Sequence, residues 1–340
     1  MFGWQIAFDV GTRSVVPYWF EEMSLVGHVK MYHDKPKEGE KRIKELFRGL
    51  IMAKFSVIGQ INAGRPPRAN RCRIEYTGSM FEGTTFGRPI EFDVMIVIDG
   101  SEDIESQEIT PGYVRLRAKP PFPHRFSKCL NGDQNINPTK MLDWFYGLVQ
   151  KAVNKVNIKE RNGLSIDVDL VLCIQLDDQY YVAKPYKPYA DEPPYWSLRC
   201  DPAMLWRQSF SVDETSTLKR IDGANEYRRD CLRVLKELFR REAGLDKLTS
   251  FHLKTVLLHM CQEEDQWQRS KMNERFFDLL RRIESCLRER RLPHFYLPEL
   301  NLLDGIRQDT IENMRGRVKH LIDNELDTRV SIAATLVAYK

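Results

Sequence analysis

Residues 78–98 read GSMFEGTTFGRPIEFDVMIVI, and this stretch decides the fold. It opens on a Gly-Ser pair and closes on an apolar run headed by two acids, Glu91 and Asp93. Side chains two positions apart in a β-strand project to the same face, so a strand over residues 90–98 would present both carboxylates together. An earlier strand over residues 73–76, followed by a turn at Gly78 and Ser79, completes a predicted hairpin section.

A third acid stands in a similar setting further along the chain. Residues 164–176 form a β-rich run in which Asp169 lies between apolar neighbours, where an acid is rarely found without cause. Asp167 shares its face of the predicted strand and is the alternative. Mg²⁺ prefers oxygen ligands, and two ions about 3.5–4 Å apart can activate an attacking hydroxyl and stabilise departing pyrophosphate. Glu91, Asp93 and Asp169 therefore predict a site for two Mg²⁺ or Mn²⁺ ions and a nucleotidyl transfer reaction.

Each of these motifs also has an ordinary structural explanation. An E-x-D pattern is commonly the solvated face of a half-buried sheet, and a Gly-Ser pair is commonly only a turn. The order of the motifs favours a site. A turn at Gly78 and Ser79 would present a hydroxyl and backbone N–H groups to a triphosphate while the carboxylates hold the metals.

Hydrophobic periodicity predicts the organisation of the rest of the chain. It indicates amphipathic helices over residues 38–58, 139–156, 227–241, 250–261 and 273–290. Strands and helices are mixed before the Pro- and Tyr-rich residues 184–195, whereas helices dominate after them. The sequence therefore predicts an α+β lobe over residues 1–200 and a mostly helical lobe over residues 201–340.

Composition narrows the class of protein. The 340 residues are 42% hydrophobic, with a formal net charge of only +4, and can bury a substantial core. Apolar runs fall well short of the roughly 20 residues of a membrane helix, and the first residues lack the pattern of a secretory signal. We therefore expect a cytoplasmic protein without a membrane partner. Seven cysteines without a C-x-x-C pair predict reduced thiols and no structural zinc.

Further motifs follow in one order: WRQSFS at residues 206–211, RDCL at 229–232, SFHLKT at 250–255 and PHFYLPELNL at 293–302. With the Gly-Ser pair and the three acids, they resemble the cyclic GMP-AMP synthase-like receptors of the Mab21 nucleotidyltransferase family. The resemblance runs from about residue 40 to the early 300s. It implies a bilobal nucleotidyltransferase fold with a long N-terminal spine helix, a mixed-sheet catalytic lobe and a helical C-terminal lobe. It also implies synthesis of a cyclic dinucleotide second messenger from two nucleoside triphosphates, such as ATP and GTP, in innate immune sensing.

The resemblance also assigns roles to single residues. The three acids would hold the two ions. The residues that would contact nucleotides are Gly78, Ser79, Arg207, Ser209, Lys236, Ser250 and Phe251. Phe251 stands where the family usually has a Tyr, so base stacking is retained and a hydroxyl contact is lost. Without the resemblance, Phe251 would be explained as core, Lys236 as a solvated helix residue and Ser250 as a helix cap.

The resemblance bears on the activator as well. The vertebrate DNA sensor of this family carries a zinc-binding insertion, but residues 212–228 contain no Cys or His. The chain therefore resembles the zinc-less animal receptors, which favours double-stranded RNA over DNA as the activating partner and leaves room for a dimer formed on that ligand. The predicted nucleic-acid contacts are Lys41, Arg42, Lys44, Arg48, Lys54, Arg65, Arg68 and Arg71. Solvated charge on an amphipathic helix is the alternative explanation.

Two other function classes fit part of the pattern. A catalytically silent Mab21-type binding or developmental protein would keep the fold, although the complete set of acids counts against it. A template-free polymerase that adds nucleotides to RNA ends would use the same metal chemistry, although the motifs after residue 200 favour the cyclic dinucleotide synthase. The size of the product distinguishes these classes.

Overall fold

The computed structural model describes residues 72–85, 91–121, 124–155, 167–184, 200–223, 226–263, 266–325 and 328. The predicted spine helix over residues 38–58 lies outside these ranges. Within them, no helix combines the length and the apolar character that crossing a lipid bilayer requires. Six cysteines in these ranges, from Cys129 to Cys286, are free thiols.

A seven-stranded mixed sheet forms the first lobe. Its strands are β1 Cys72–Thr77, β2 Glu91–Asp99, β3 Ile104–Thr110, β4 Tyr113–Ala118, β5 Asp167–Leu176, β6 Gln179–Val182 and β7 Leu205–Ser209. The strand order is β1-β2-β5-β6-β7-β4-β3. Strands β2 and β5 run parallel, whereas the other neighbouring pairs of this sheet are antiparallel. Parallel strands need a crossover connection, and between β2 and β5 the chain forms β3 and β4 at the far edge of the sheet and then the helix Pro138–Lys155.

The helices cover the sheet and build the second lobe. They are α1 Gly78–Glu82, α2 Pro138–Lys155, α3 Ser211–Arg220, α4 Arg228–Arg241, α5 Ser250–Glu263, α6 Met272–Glu289 and α7 Gln308–Asp323. Helices α3 to α7 share one hydrophobic core, to which each contributes a fully buried residue: Leu218, Leu235, Leu257, Leu280 and Val318. An apolar stripe on each amphipathic helix accounts for this packing.

Strand β2 is apolar almost throughout because both of its faces are covered. On one face, Ile98 packs with Leu172 and with Met141 of α2. On the opposite face, Met95 packs with Cys173. A continuous apolar run is typical of a strand buried on both sides. Glu91 and Asp93 of β2 and Asp167 and Asp169 of β5 therefore stand at the start of two core strands.

The observed elements confirm the predicted α+β, bilobal class. Predicted helices 139–156, 227–241, 250–261 and 273–290 correspond to α2, α4, α5 and α6, with ends that differ by two residues at most. Strand β7 is not predicted by the pattern, and it extends the sheet beyond residue 200. Its position follows from Trp206, which is fully buried and whose indole N–H donates to the Ile136 carbonyl at 2.8 Å.

Candidate active site

Asp93 and Asp169 lie level with each other on parallel strands β2 and β5. Both residues are half-buried. Two positions earlier, Glu91 is level with Asp167 in the same register. Positions two apart share one face of a sheet, so the four acids occupy two successive pairs at the start of the two strands. This register supports Asp169, rather than Asp167, as the partner of Asp93.

Gly78 lies directly against the Asp93 carboxylate. A Cβ atom built on Gly78 would be 1.8 Å from Asp93 Oδ2 and 2.6 Å from its Cγ. The φ angle of Gly78 is +79°, a conformation that residues with a side chain rarely adopt. Thr77, which precedes Gly78, is the β1 partner of Asp93 in the antiparallel register. Both the contact and the backbone conformation therefore require glycine at this position.

The predicted turn at the Gly-Ser pair is wrong in detail, because these residues begin helix α1. The helix lasts little more than one turn and ends at Gly83, which has a φ of +71° and caps it in the left-handed conformation. The Thr84 N–H donates to the Ser79 carbonyl at 2.8 Å, and the Ser79 hydroxyl is 3.0 Å from that of Thr85. Glycines at both ends allow the chain to enter and leave this single turn abruptly.

The donors present fit a divalent cation. Asp93 and Asp169 are carboxylates at level positions of neighbouring strands, and Gly78 adds no side chain next to Asp93 Oδ2. Hard cations such as Mg²⁺ take such oxygen ligands and complete their shell with water and substrate phosphates. The backbone of Glu91 is described but its side chain is not, and among the described side chains no three potential ligands are grouped for a metal.

Lys236 approaches this site from α4 of the helical lobe. Its ammonium donates to the Thr84 hydroxyl at 2.9 Å. Burial lowers the pKa of Lys236 to about 8, against the opposing influence of Glu82 and Asp93 and with a further lowering by Lys254. The structure therefore brings Lys236 next to the loop after α1 and within electrostatic range of Asp93, where a phosphate-binding cation is predicted.

Arg207 and Ser209, the predicted base contacts, lie on β7. Arg207 is half-buried, and among the residues that the structure describes its guanidinium has no hydrogen-bond partner. Forked donors of this kind suit the edges of bases. Ser209 is buried, and its hydroxyl donates to the Ser211 hydroxyl at 3.2 Å. The Ser209 hydroxyl also accepts from the Ser211 N–H at 3.4 Å, which leaves one acceptor position for a nucleotide.

Phe251 and Ser250 open helix α5, as predicted. Ser250 is exposed at the first position of the helix, which is the end that favours anions. Phe251 is half-buried, with its ring centroid 5.4 Å from that of His294 and 6.0 Å from the Lys254 ammonium nitrogen. The ring thus borders the cluster around His294, and Phe251 is neither wholly core nor wholly exposed.

His294 stands at the centre of an aromatic cluster. Its ring lies 5.2 Å from that of Phe210, which stacks on Tyr296 at 4.9 Å with an interplanar angle of 6°. The backbone N–H groups of Tyr296 and Leu297 both donate to His294 Nδ1 at 3.1 Å. Burial, reinforced by the charge of Arg207, lowers the pKa of His294 to about 4. The imidazole is therefore neutral at physiological pH.

The eight predicted nucleic-acid contacts, from Lys41 to Arg71, lie outside the described residues. Arg73, which continues this basic stretch, is described and is occupied within the protein. Its Nε donates to Glu75 at 2.7 Å and its Nη2 to the Tyr180 hydroxyl at 2.9 Å. The described parts of residues 212–228 belong to α3, α4 and the connection between them, and contain no metal cluster.

A buried ionic group at the end of α1 was not predicted from the sequence. Glu82, the last residue of α1, is 2% exposed, and the Lys254 ammonium donates to its carboxylate at 2.7 Å. Lys254 also donates to Glu214. The sequence feature that could have indicated this group is a lysine in a largely apolar helix, because Lys254 and Thr255 stand between Leu253 and Val256.

Two protein-family models match the chain one after the other. The family model described as "Mab-21 protein nucleotidyltransferase domain" matches residues 80–220. The family model described as "Mab-21 protein HhH/H2TH-like domain" matches residues 227–320. A curated protein named cyclic GMP-AMP synthase-like receptor 3, from Stylophora pistillata, is 28% identical over 334 residues, covering 88% of this chain and 93% of that protein.

Two further relatives are also named as a cyclic GMP-AMP synthase or a receptor similar to one. A cyclic GMP-AMP synthase-like receptor from Aethina tumida is 24% identical over 75% of this chain and 76% of its own length. The cyclic GMP-AMP synthase of Mus musculus is 26% identical over 66% of this chain and 55% of its own length. Because both Mab-21 domains are present in order, the chain belongs to the Mab-21 family of cyclic GMP-AMP synthase-like nucleotidyltransferases.

Proposed function

We propose that this protein joins two nucleoside triphosphates into a cyclic dinucleotide when double-stranded RNA binds to it. One observation carries the proposal: Asp93 and Asp169 lie level on two core strands, with Gly78 packed against the Asp93 carboxylate. The names of the relatives support the product class, since they are cyclic GMP-AMP synthases and receptors similar to them.

The reaction consists of two nucleotidyl transfers. In each, a ribose hydroxyl oxygen bonds to an α-phosphorus, the bond from that phosphorus to pyrophosphate breaks, and the hydroxyl proton leaves to solvent. The first transfer gives a linear dinucleotide that keeps one triphosphate, and the second closes the ring. Two triphosphates thus yield one cyclic dinucleotide and two pyrophosphates.

The protein's own residues would position and stabilise these groups. Glu91, Asp93 and Asp169 would hold two Mg²⁺ or Mn²⁺ ions, which polarise the phosphate and lower the pKa of the attacking hydroxyl. Ser79 and Lys236 would bind the triphosphate from α1 and α4. Arg207 would hydrogen-bond a base and Phe251 would stack on one. Alignment of the two reactants by the protein supplies a large part of the rate acceleration in reactions of this kind.

Double-stranded RNA is the proposed activator. The absence of Cys and His from residues 212–228 supports an activator other than the long DNA bound by zinc-containing relatives. RNA duplexes are recognised through shape and phosphate contacts, for which the basic residues between 41 and 71 are suited. We also propose that the protein acts in the cytoplasm, because double-stranded RNA would be encountered there.

The test incubates the purified protein with four labelled nucleoside triphosphates and Mg²⁺ or Mn²⁺, with and without duplex RNA or DNA. The expected result is a phosphatase-resistant spot on thin-layer chromatography that requires duplex RNA. A lengthened RNA would instead identify an RNA-end nucleotidyltransferase. No product with any ligand would favour a Mab21-type binding protein.

A further inference from the structure

Glu82 is the centre of a buried chain of hydrogen bonds that joins the two lobes. Its Oε1 accepts a hydrogen bond from the Lys254 ammonium at 2.7 Å, and its Oε2 accepts one from the Thr84 hydroxyl at 3.3 Å. Lys236 donates to the same Thr84 hydroxyl at 2.9 Å. At the other end, Lys254 donates to Glu214. The chain therefore runs continuously from Lys236 to Glu214.

The charges of this chain balance. Two ammonium groups, on Lys236 and Lys254, face two carboxylates, on Glu82 and Glu214. Burial alone would lower the pKa of Lys254, but Glu214 and Glu82 outweigh burial and raise it. Removal of one buried partner leaves an uncompensated charge, whereas removal of an opposite pair does not. The four groups are therefore best understood as one unit.

The unit connects α1 to three helices of the second lobe. Glu82 ends α1, whereas Glu214, Lys236 and Lys254 belong to α3, α4 and α5. A second connection lies beside it, because Arg233 of α4 donates through Nε to the Gly83 carbonyl at 2.8 Å. The end of α1 is thus held by cations that reach it from the helical lobe.

Helix α1 depends on such contacts for its orientation. A helix of five residues cannot form by itself, because nucleation of the first turn is unfavourable. Its first residue, Gly78, packs against Asp93, and its second is Ser79. A displacement of the Glu82 end would therefore move the Gly78 end relative to the carboxylates.

We infer that Lys254 is a positioning residue, which sets α1 against the carboxylate site by clamping Glu82 and Glu214 together. The inference rests on the proposed nucleotidyl transfer for its catalytic consequence. It assigns no substrate contact to the Lys254 ammonium, which is buried between the two carboxylates. Misplacement of reacting groups by about 1 Å can cost on the order of 100-fold in rate, so a clamp of this kind is catalytically significant.

The first experiment measures hydrogen–deuterium exchange in Lys254→Met. We expect at least tenfold faster exchange of the Gly83 and Thr84 amides, with no change in α6. The matched control is Lys271→Met, which removes an exposed lysine that pairs with Glu274 on the surface. Unchanged exchange at residues 83–84, or equal acceleration throughout the second lobe, would overturn the inference.

The second variant separates positioning from stability. Lys254→Met with Glu214→Gln removes one positive and one negative charge, so the remaining Glu82 and Lys236 still balance. We expect the Tm to recover most of what Lys254→Met loses, while exchange at residues 83–84 stays fast. We also expect kcat to stay at least tenfold below wild type. Recovery of kcat and exchange together with Tm would contradict the inference and leave only a structural role.

The outcomes distinguish this inference from the proposed function. If the wild-type protein forms no nucleotide product with any ligand, the proposed function fails, while hydrogen exchange still reports on the clamp. If the wild-type protein forms product and the charge-balanced double variant matches it in kcat and exchange, the clamp fails and the proposed function stands.

Discussion

Gly78 and Asp93 are in contact: a Cβ atom on Gly78 would fall 1.8 Å from Asp93 Oδ2. The residues are 15 positions apart in the chain, and the contact arises because Thr77 pairs with Asp93 across β1 and β2. The start of α1 is therefore fixed relative to a carboxylate of the proposed metal site. Any side chain at residue 78 would displace one of the two.

Gly78→Ala is expected to impair catalysis more than folding. The left-handed conformation would cost about 1–2 kcal/mol of stability, whereas displacement of Asp93 or α1 would lower nucleotidyl transfer about 100-fold or more. Chemical denaturation and product formation measure the two effects. Gly316→Ala is the matched control, because a Cβ there has no neighbour within 4 Å. A Gly78→Ala protein of normal activity would contradict the contact.

Asp169→Asn and Asp167→Asn should differ in metal binding. Asp169 is level with Asp93, whose carboxylate lies against Gly78, whereas Asp167 is two positions further from that contact. We therefore propose that Asp169 is the ligand and Asp167 is not. Loss of a carboxylate ligand should weaken Mn²⁺ binding by at least about tenfold. Electron paramagnetic resonance of free Mn²⁺ measures this. The reverse order of the two variants would assign the ligand to Asp167.

Loss of the Lys236 charge is expected to lower kcat/KM at alkaline pH. Its pKa is lowered to about 8, so the ammonium that would bind triphosphate is lost as the pH rises through that value in the free enzyme. Lys236→Arg keeps its charge throughout this range, so the decline attributable to residue 236 should disappear. Retention of the same decline in Lys236→Arg would show that another group is responsible.

The buried, neutral His294 is expected to make the folded protein less stable in acid. Its pKa falls from 6.5 to about 4 on folding, so between these values the unfolded chain binds a proton that the folded chain does not. This pKa shift contributes about 3 kcal/mol to the free energy of unfolding. The contribution is fully present above pH 6.5 and is lost as the pH falls toward 4.

His294→Asn tests this contribution. An asparagine oxygen can still accept the N–H groups that His294 Nδ1 now accepts. Urea unfolding at pH 7 and pH 5 should show a smaller loss of stability in the variant than in the wild-type protein. Equal losses in both proteins would remove His294 as the cause.

The sequence predicts those features that local pattern determines. The spacing of Glu91 and Asp93 on an apolar run indicates a strand with acids at its start, and periodicity locates four of the described helices. In the helix predicted over residues 227–241, the apolar residues Cys231, Leu235 and Leu238 recur at helical spacing and are buried. These features follow from alternation and helical repeat, which act over a few residues.

Contacts between distant segments could not be predicted in this way. Glu82 and Lys254 are 172 positions apart, and no local pattern pairs them. The need for glycine at residue 78 likewise depends on Asp93, a neighbour only after β1 and β2 have paired. Strand β7 was missed because five residues are too few for a clear alternation, and the burial of Trp206 decides its position.

Mass spectrometry of the reaction products, with pyrophosphate counted in parallel, tests the proposed synthesis most directly. Wild-type protein with duplex RNA, Mg²⁺ and nucleoside triphosphates should yield a cyclic dinucleotide with two pyrophosphates released for each, and Asp93→Asn should yield neither. A product that forms equally well in Asp93→Asn, or a wild-type protein that releases no pyrophosphate with any duplex, would contradict the proposed reaction.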